Sequence, residues 1–117
     1  MRNVVLIVNN FNPFTVNHIR LIKNSRNLGD VVVVLEDKNI DTIEILKELQ
    51  GIYKIEIGET LEDMYWKYKD EGIIYYVNPE KEEDKKYCKS KGIEMVEVTT
   101  DPFTLKDILF GASDNET

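Results

Sequence analysis

Thr15 and His18 stand three residues apart in the stretch NNFNPFTVNH (9–18), which holds the only histidine of a 117-residue chain. If Thr15 is an N-cap, His18 falls at N3, and both side chains belong to the first turn of one helix. The unsatisfied N–H groups and the positive dipole end of such a turn attract phosphate. A histidine placed there can donate hydrogen bonds to phosphate oxygens as negative charge builds on them, with a threonine hydroxyl beside it. It can equally be a polar residue satisfied within its own turn. Around the pair, Asn9 and Asn10 tolerate turn and left-handed backbone. Pro13 stiffens the loop, and Phe11 and Phe14 can anchor it to a core.

The elements that must position this stretch are short and regularly punctuated. NVVLIVN (3–9) is apolar and rich in branched residues, which reads as a strand buried on both faces. Residues 15–28 have helical spacing and stop at Gly29. DVVVVLE (30–36) is a second buried strand. Residues 41–50 read as a helix with Asp41 as N-cap, and IYKIEI (52–57) alternates like a half-buried or edge strand. A helix over 59–72, a strand over 73–78, a charged helix over 79–92 opening with Pro79, and a strand over 93–98 follow. Residues 99–111 read as a loop and a last short helix, with Thr104 and Asp107 in a capping-box-like pair.

Five such units imply an α/β fold: a single Rossmann-like three-layer domain over 1–111 with a mostly parallel five-stranded sheet. Residues 112–117 read as a disordered tail. In such sheets ligands bind beyond the carboxyl ends of the strands, where the strand order reverses. The first β–α turn, residues 9–18, is the expected floor of that crevice.

Composition narrows the function classes. The net charge of −7 argues against a nucleic-acid binder. Residues 1–29 contain Arg2, Arg20, Lys23 and Arg26 and no acidic residue, while 30–117 hold the remaining 11 basic and all 22 acidic side chains. A positive entry on an acidic body suits a small anionic ligand. With Cys88 alone there is no internal disulfide, and one histidine with one cysteine gives no basis for a structural zinc site. No apolar run reaches the length of a membrane span, and the apolar start is too short for a signal peptide, so the expected location is the cytoplasm.

The motif resembles the signature of the nucleotidyltransferase superfamily, in which a strand ends in G-[TS]-F-[DN]-P and leads to [HT]-x-G-H on a helix. Phe11-Asn12-Pro13 match F-N-P, and Thr15-Val16-Asn17-His18 match T-x-x-H. The run HIRLIKNSRNLGDVVVVLED (18–37), with its Leu28-Gly29-Asp30, is similar to cytidylyltransferases. The resemblance implies transfer of a nucleoside monophosphate, CMP more than AMP, from CTP or ATP to a small phosphorylated acceptor, with release of pyrophosphate. It implies Mg²⁺ carried with the triphosphate, no protein-held metal, and a homodimer. Thr15 and His18 would contact the α- and β-phosphates, and backbone amides of residues 9–11 would cradle phosphate. Lys23 or Lys38 would hold phosphate at the rim, Asn17 would touch acceptor or base, and Asn78 would lie in the ribose or base loop.

The family pattern is broken in places. Asn9 and Asn17 stand where it has glycines, which admit phosphate close to the backbone. Its C-terminal R-T-x-G-I-S-T-T-x-I corresponds to 99–108, where Thr99 replaces the arginine; Thr104 and Lys106 are the groups left to bind phosphate. All three arginines lie by residue 26, and lysine does not reproduce the planar fork of arginine. The alternative from another class is therefore a non-catalytic nucleotide-binding or protein-interaction member of the same fold. A receiver would need paired acidic residues after the first strand, where this chain has Asn9 and Asn10. A flavodoxin-like loop would be rich in Ser, Thr and Gly. Trp66, Tyr68, Tyr65 and Met64 read as a helix packed on the sheet, Tyr75 and Tyr76 as core and face residues, and Cys88 as inert.

Overall fold

Runs of β-branched residues build the centre of the molecule, which was obtained as a computed structural model describing residues 2–11 and 14–100. The strands are β1 (Val4–Val8), β2 (Asp30–Leu35), β3 (Ile52–Ile57), β4 (Ile74–Val77) and β5 (Glu94–Val96), all parallel, in the order β3-β2-β1-β4-β5. The helices between them are α1 (Val16–Ser25), α2 (Ile40–Glu48), α3 (Leu61–Tyr68) and α4 (Glu82–Lys91).

The period of two along each strand sorts side chains between two cores. Val5, Ile7, Val31, Val33 and Leu35 pack with Phe11, Leu21, Ile22, Ile43 and Leu46 under α1 and α2. Val4, Leu6, Val32 and Val34 pack with Met64, Tyr68, Cys88 and Ile93 under α3 and α4. With helices on both faces, the central parts of β1 and β2 must be apolar, which is what VVLIV (4–8) and VVVVL (31–35) supply. The Rossmann-like three-layer arrangement expected from the sequence is the one observed. The order reverses between β1 and β4, so the crevice opens beside the carboxyl end of β1. No helix among the described residues is long and apolar enough to cross a membrane.

Local chemistry moved several boundaries. The cap of α2 is Asn39, whose Oδ1 accepts from the Thr42 N–H (3.1 Å); Asp41 lies inside the first turn and only complements the dipole. Helix α1 ends at Ser25, before Gly29. Helix α4 starts at Glu82 rather than at Pro79, with Glu82, Glu83 and Asp84 in its first turn, Lys89 and Lys91 in its last, and a left-handed Gly92 as C-cap. Helix α3 is shorter than 59–72 and is closed by the reciprocal Thr60–Asp63 capping box. Its Met64 and Tyr68 are buried as expected, but Trp66 turns outward, because 64 and 68 are one turn apart and 66 falls opposite them. Cys88 is fully buried, which pushes its thiol up to about 11 and leaves it unreactive at neutral pH. The last predicted helix and the tail, with Thr104, Asp107 and Lys106, lie outside the described residues.

Candidate functional site

At the carboxyl end of β1 the chain closes on itself through side chains. The Asn9 N–H donates to the Val34 carbonyl (3.1 Å), and Asn9 Oδ1 accepts from the Phe11 N–H (2.7 Å). Phe11 is held in left-handed backbone at φ 54°, which costs a non-glycine residue about 1–2 kcal/mol, and its ring is completely buried. Two of the three amides expected to cradle phosphate, those of Asn9 and Phe11, thus already have partners within the protein. Asn12 and Pro13 lie outside the described residues.

Thr15 is the N-cap of α1 and His18 is at N3. The Thr15 N–H donates to His18 Nδ1 (3.0 Å), the part played by glutamate or glutamine in an ordinary capping box, and Thr15 Oγ1 lies 3.3 Å from the same nitrogen. The imidazole packs edge-on to Phe11 at 4.9 Å between centroids (86°) and against Phe14 at 5.6 Å. An Nδ1 that accepts carries no proton, so the neutral ring bears its proton on Nε2. Among the described residues Nε2 has no partner. Burial alone lowers the His18 pKa, since the charged ring is the form the aromatic setting penalises. The site therefore presents a neutral imidazole with a fixed Nε2–H donor beside a threonine hydroxyl at a helix N-terminus.

A pH dependence follows from this. As pH falls, the unfolded chain takes up a proton at His18 near pH 6.5, before the folded one does. Its contribution is thus complete above 6.5 and is lost as pH drops through the lower folded value, where protonation also takes the acceptor from the Thr15 amide. Denaturant unfolding measured between pH 7.5 and 5.5 is expected to show this loss, and His18→Gln is expected to remove it. Equal pH slopes in the two proteins would refute it.

Of the remaining sequence candidates, Asn10 and Asn78 border one cavity with Asn9, whereas Asn17, Lys23 and Lys38 lie away from it. Asn10 bridges to the end of β2: its Oδ1 accepts from the Glu36 (2.9 Å) and Asp37 (3.3 Å) amides, and its Nδ2 donates to Glu36 Oε1 (3.3 Å). Asn78, at φ 50°, pairs with Val98 through both side-chain atoms (2.7 and 3.0 Å), extending the β4–β5 pairing past the end of β5. Asn17 is exposed and accepts from Arg20 (3.3 Å). Lys23 lies in the last turn of α1, about 12 Å along the helix from Thr15. Lys38 is exposed beside the first turn of α2.

The basic N-terminal quarter does not converge on the site either. Arg2 pairs with Asp30 (2.8 Å) and Glu71 (3.0 Å) at the amino-terminal edge of the sheet. The Arg26 side chain lies against Gly51 in the turn before β3. Of the arginines, Arg20 alone is near the first turn of α1.

Sequence reasoning named Asn9, Asn10 and Asn78 but missed Glu36, Lys81 and Asp84, which line the crevice with them. A cavity of about 250 Å³ is bordered by Asn9, Asn10, Glu36, Asn78, Lys81 and Asp84, and it adjoins one of about 330 Å³ that adds Glu59 and Thr60. Glu36 and Lys81 bridge it at 3.0 Å, and the lysine holds that carboxylate below its usual range. The Tyr76 hydroxyl donates to Asp84 (2.8 Å). The available signal was position: Glu36 and Lys81 follow strands that end on either side of the reversal point. Val8, on this wall, packs with the α3/α4 core, whereas Phe11 and Phe14 pack with the α1/α2 core. The acidic crevice and the Thr15–His18 turn therefore lie on opposite sides of the end of β1. A larger cavity of about 540 Å³, lined by Tyr65, Lys69, Ile73 and Lys91, opens at the other edge of the sheet, where β4 and β5 begin.

No protein-family model and no curated protein sequence matches the chain. Among solved structures it is similar to the lipopolysaccharide core biosynthesis protein of Thermoplasma volcanium GSS1, with a TM-score of 0.67 over 87% of this chain and all of that one, at 15% identity. The likeness is one of fold.

Proposed function

We propose that this protein binds a nucleoside triphosphate with its phosphates over the first turn of α1 and transfers the nucleoside monophosphate to a small phosphorylated acceptor. A phosphate oxygen of the acceptor attacks the α-phosphorus in line. The bond from that phosphorus to the bridging oxygen breaks, and pyrophosphate leaves. No protein nucleophile is needed; the chain orients the phosphates and stabilises added charge. His18 Nε2–H and the Thr15 hydroxyl donate to the phosphate oxygens, and Arg20 stands near enough to add positive field. Mg²⁺ enters with the triphosphate and shields its charge.

The single observation that carries this reading is the Thr15–His18 pair, with a neutral, fixed Nε2–H donor, at a helix N-terminus beside the reversal point of a β3-β2-β1-β4-β5 sheet. The fold shared with a lipopolysaccharide core biosynthesis protein is compatible with it. The preference for CTP over ATP and the homodimer rest on the sequence resemblance, and the cytoplasmic setting rests on composition and the lengths of the apolar runs. A second reading, binding without transfer, is favoured by the Asn9–Phe11 closure, which leaves the Phe11 amide no part in stabilising charge that develops on phosphate during transfer.

Titration with CTP and then ATP, each with Mg²⁺, followed by amide NMR, tests the proposal. Shifts centred on Asn9 to His18 that saturate at micromolar to low-millimolar nucleotide are the expected result. No response to either triphosphate would refute both readings as nucleotide binders.

A further inference from the structure

One of the residues that depart from the signature the chain resembles makes a hydrogen bond next to the His18 ring. We propose that Asn9 is a positioning residue for His18. Its side chain stands where the resembling family has glycine, and it accepts the Phe11 N–H at 2.7 Å. That bond closes a turn which holds Phe11 at φ 54°, a conformation a buried phenylalanine does not adopt without support. In this conformation the Phe11 ring meets the imidazole edge-on at 4.9 Å, while the Phe14 ring stands 5.6 Å away. The ring contacts fix the imidazole plane, and the Thr15 N–H on Nδ1 fixes its tautomer. Asn9 is itself anchored, because its own N–H is bonded to the Val34 carbonyl of β2. The series runs from the sheet to Asn9, then to Phe11, then to His18, with each link a short polar bond or a ring contact.

A glycine at position 9 has no side-chain acceptor, so a family member with glycine there must orient its histidine by other means. In this chain the asparagine closes the turn from within, and Nε2 remains the open donor. The inference deepens the nucleotidyl-transfer reading and rests on it for what His18 then does. The orientation of His18 is measurable without any nucleotide.

The experiment records the ring-nitrogen shifts of His18 and the amide shift of Thr15 at pH 8 in the wild type, Asn9→Ala and Asn9→Asp. The wild type is expected to show a protonated Nε2 and a bare, hydrogen-bonded Nδ1. Asn9→Ala is expected to draw the two nitrogen shifts toward the averaged values of a free imidazole and to move the Thr15 amide. Asn9→Asp keeps an acceptor oxygen and is expected to retain the wild-type pattern. Where turnover is measurable, Asn9→Ala is expected to lose on the order of 10²-fold in kcat with KM little changed. Unmoved His18 nitrogens in a folded Asn9→Ala protein would overturn the proposal. Should that variant fail to fold, amide exchange in the wild type decides: a protected Phe11 N–H supports the relay, and free exchange overturns it. An intact relay in a protein that responds to no triphosphate would sink the transfer reading alone.

Discussion

Replacing His18 by alanine is expected to leave the fold intact and to lower nucleotidyl transfer by about 10²–10³-fold, the loss typical of one preorganised donor to developing negative charge. The imidazole is neutral, its proton is on Nε2, and it has few motions left, since Nδ1 is bonded to Thr15 and the ring lies against Phe11 and Phe14. Such a donor needs no reorganisation when charge accumulates on the phosphate oxygens, so its removal acts mainly on turnover. Nucleotide affinity should change far less, because the helix N-terminus and the Thr15 hydroxyl remain. The check is pyrophosphate release from CTP or ATP in a mixture of phosphomonoester acceptors, with affinity read separately by titration. Loss of the cap bond adds a stability cost of about 0.5–2 kcal/mol, visible in denaturant unfolding. If stability falls by that amount while turnover is unchanged, His18 is a cap and nothing more.

How much of this was legible depended on the range of the interaction involved. The strands were plain because VVLIV and DVVVVL have to face helices on both sides, a requirement written into each run. Thr15 as N-cap and His18 at N3 were legible for the same reason, being partners three residues apart. Asn10 and Asn78 were not, since their partners Glu36 and Val98 lie 26 and 20 residues away and are set by which strand ends become neighbours. The basic N-terminal quarter misled for a geometric reason. A strand followed by an antiparallel helix carries residues 2 and 26 to one edge of the sheet and residues 9–11 and 14–18 to the other, so a cluster in sequence becomes two ends of a domain. Trp66 was assigned to the packed face from its aromatic neighbours, although helical spacing puts it opposite Met64 and Tyr68.

Gly29 shows the same limit more sharply, and the largest stability effect is expected there. In sequence it looks like a helix stop, yet α1 ends at Ser25, and the glycine instead occupies a place where the chain nearly touches itself. A Cβ at position 29 would lie 2.8 Å from Asn3 Cβ and 2.9 Å from the Asn3 carbonyl carbon, closer still to its oxygen, and φ is +158°. That oxygen accepts the Asp30 N–H (2.9 Å) beside the first rung of the β1–β2 ladder, Val4↔Asp30. Because the obstacle is backbone, it cannot swing aside as a side chain can. Gly29→Ala must therefore push the two strands apart or lose that bond, and overpacking plus a broken hydrogen bond together cost about 3 kcal/mol. Gly58→Ala is the informative comparison: φ is +73°, but nothing lies within 4 Å of the added carbon, so backbone strain alone of about 1–2 kcal/mol is expected. Denaturant unfolding of the two variants should rank them in that order by a clear margin, and equal costs would show that conformation rather than contact decides at Gly29. The rung also bears on the site. The register it starts runs five residues to Val8↔Val34, where Asn9 bonds the Val34 carbonyl and Asn10 reaches Glu36. A displaced first rung in Gly29→Ala is thus expected to appear as shifted amides at Asn9 and Phe11, at the opposite end of β1 from the substitution.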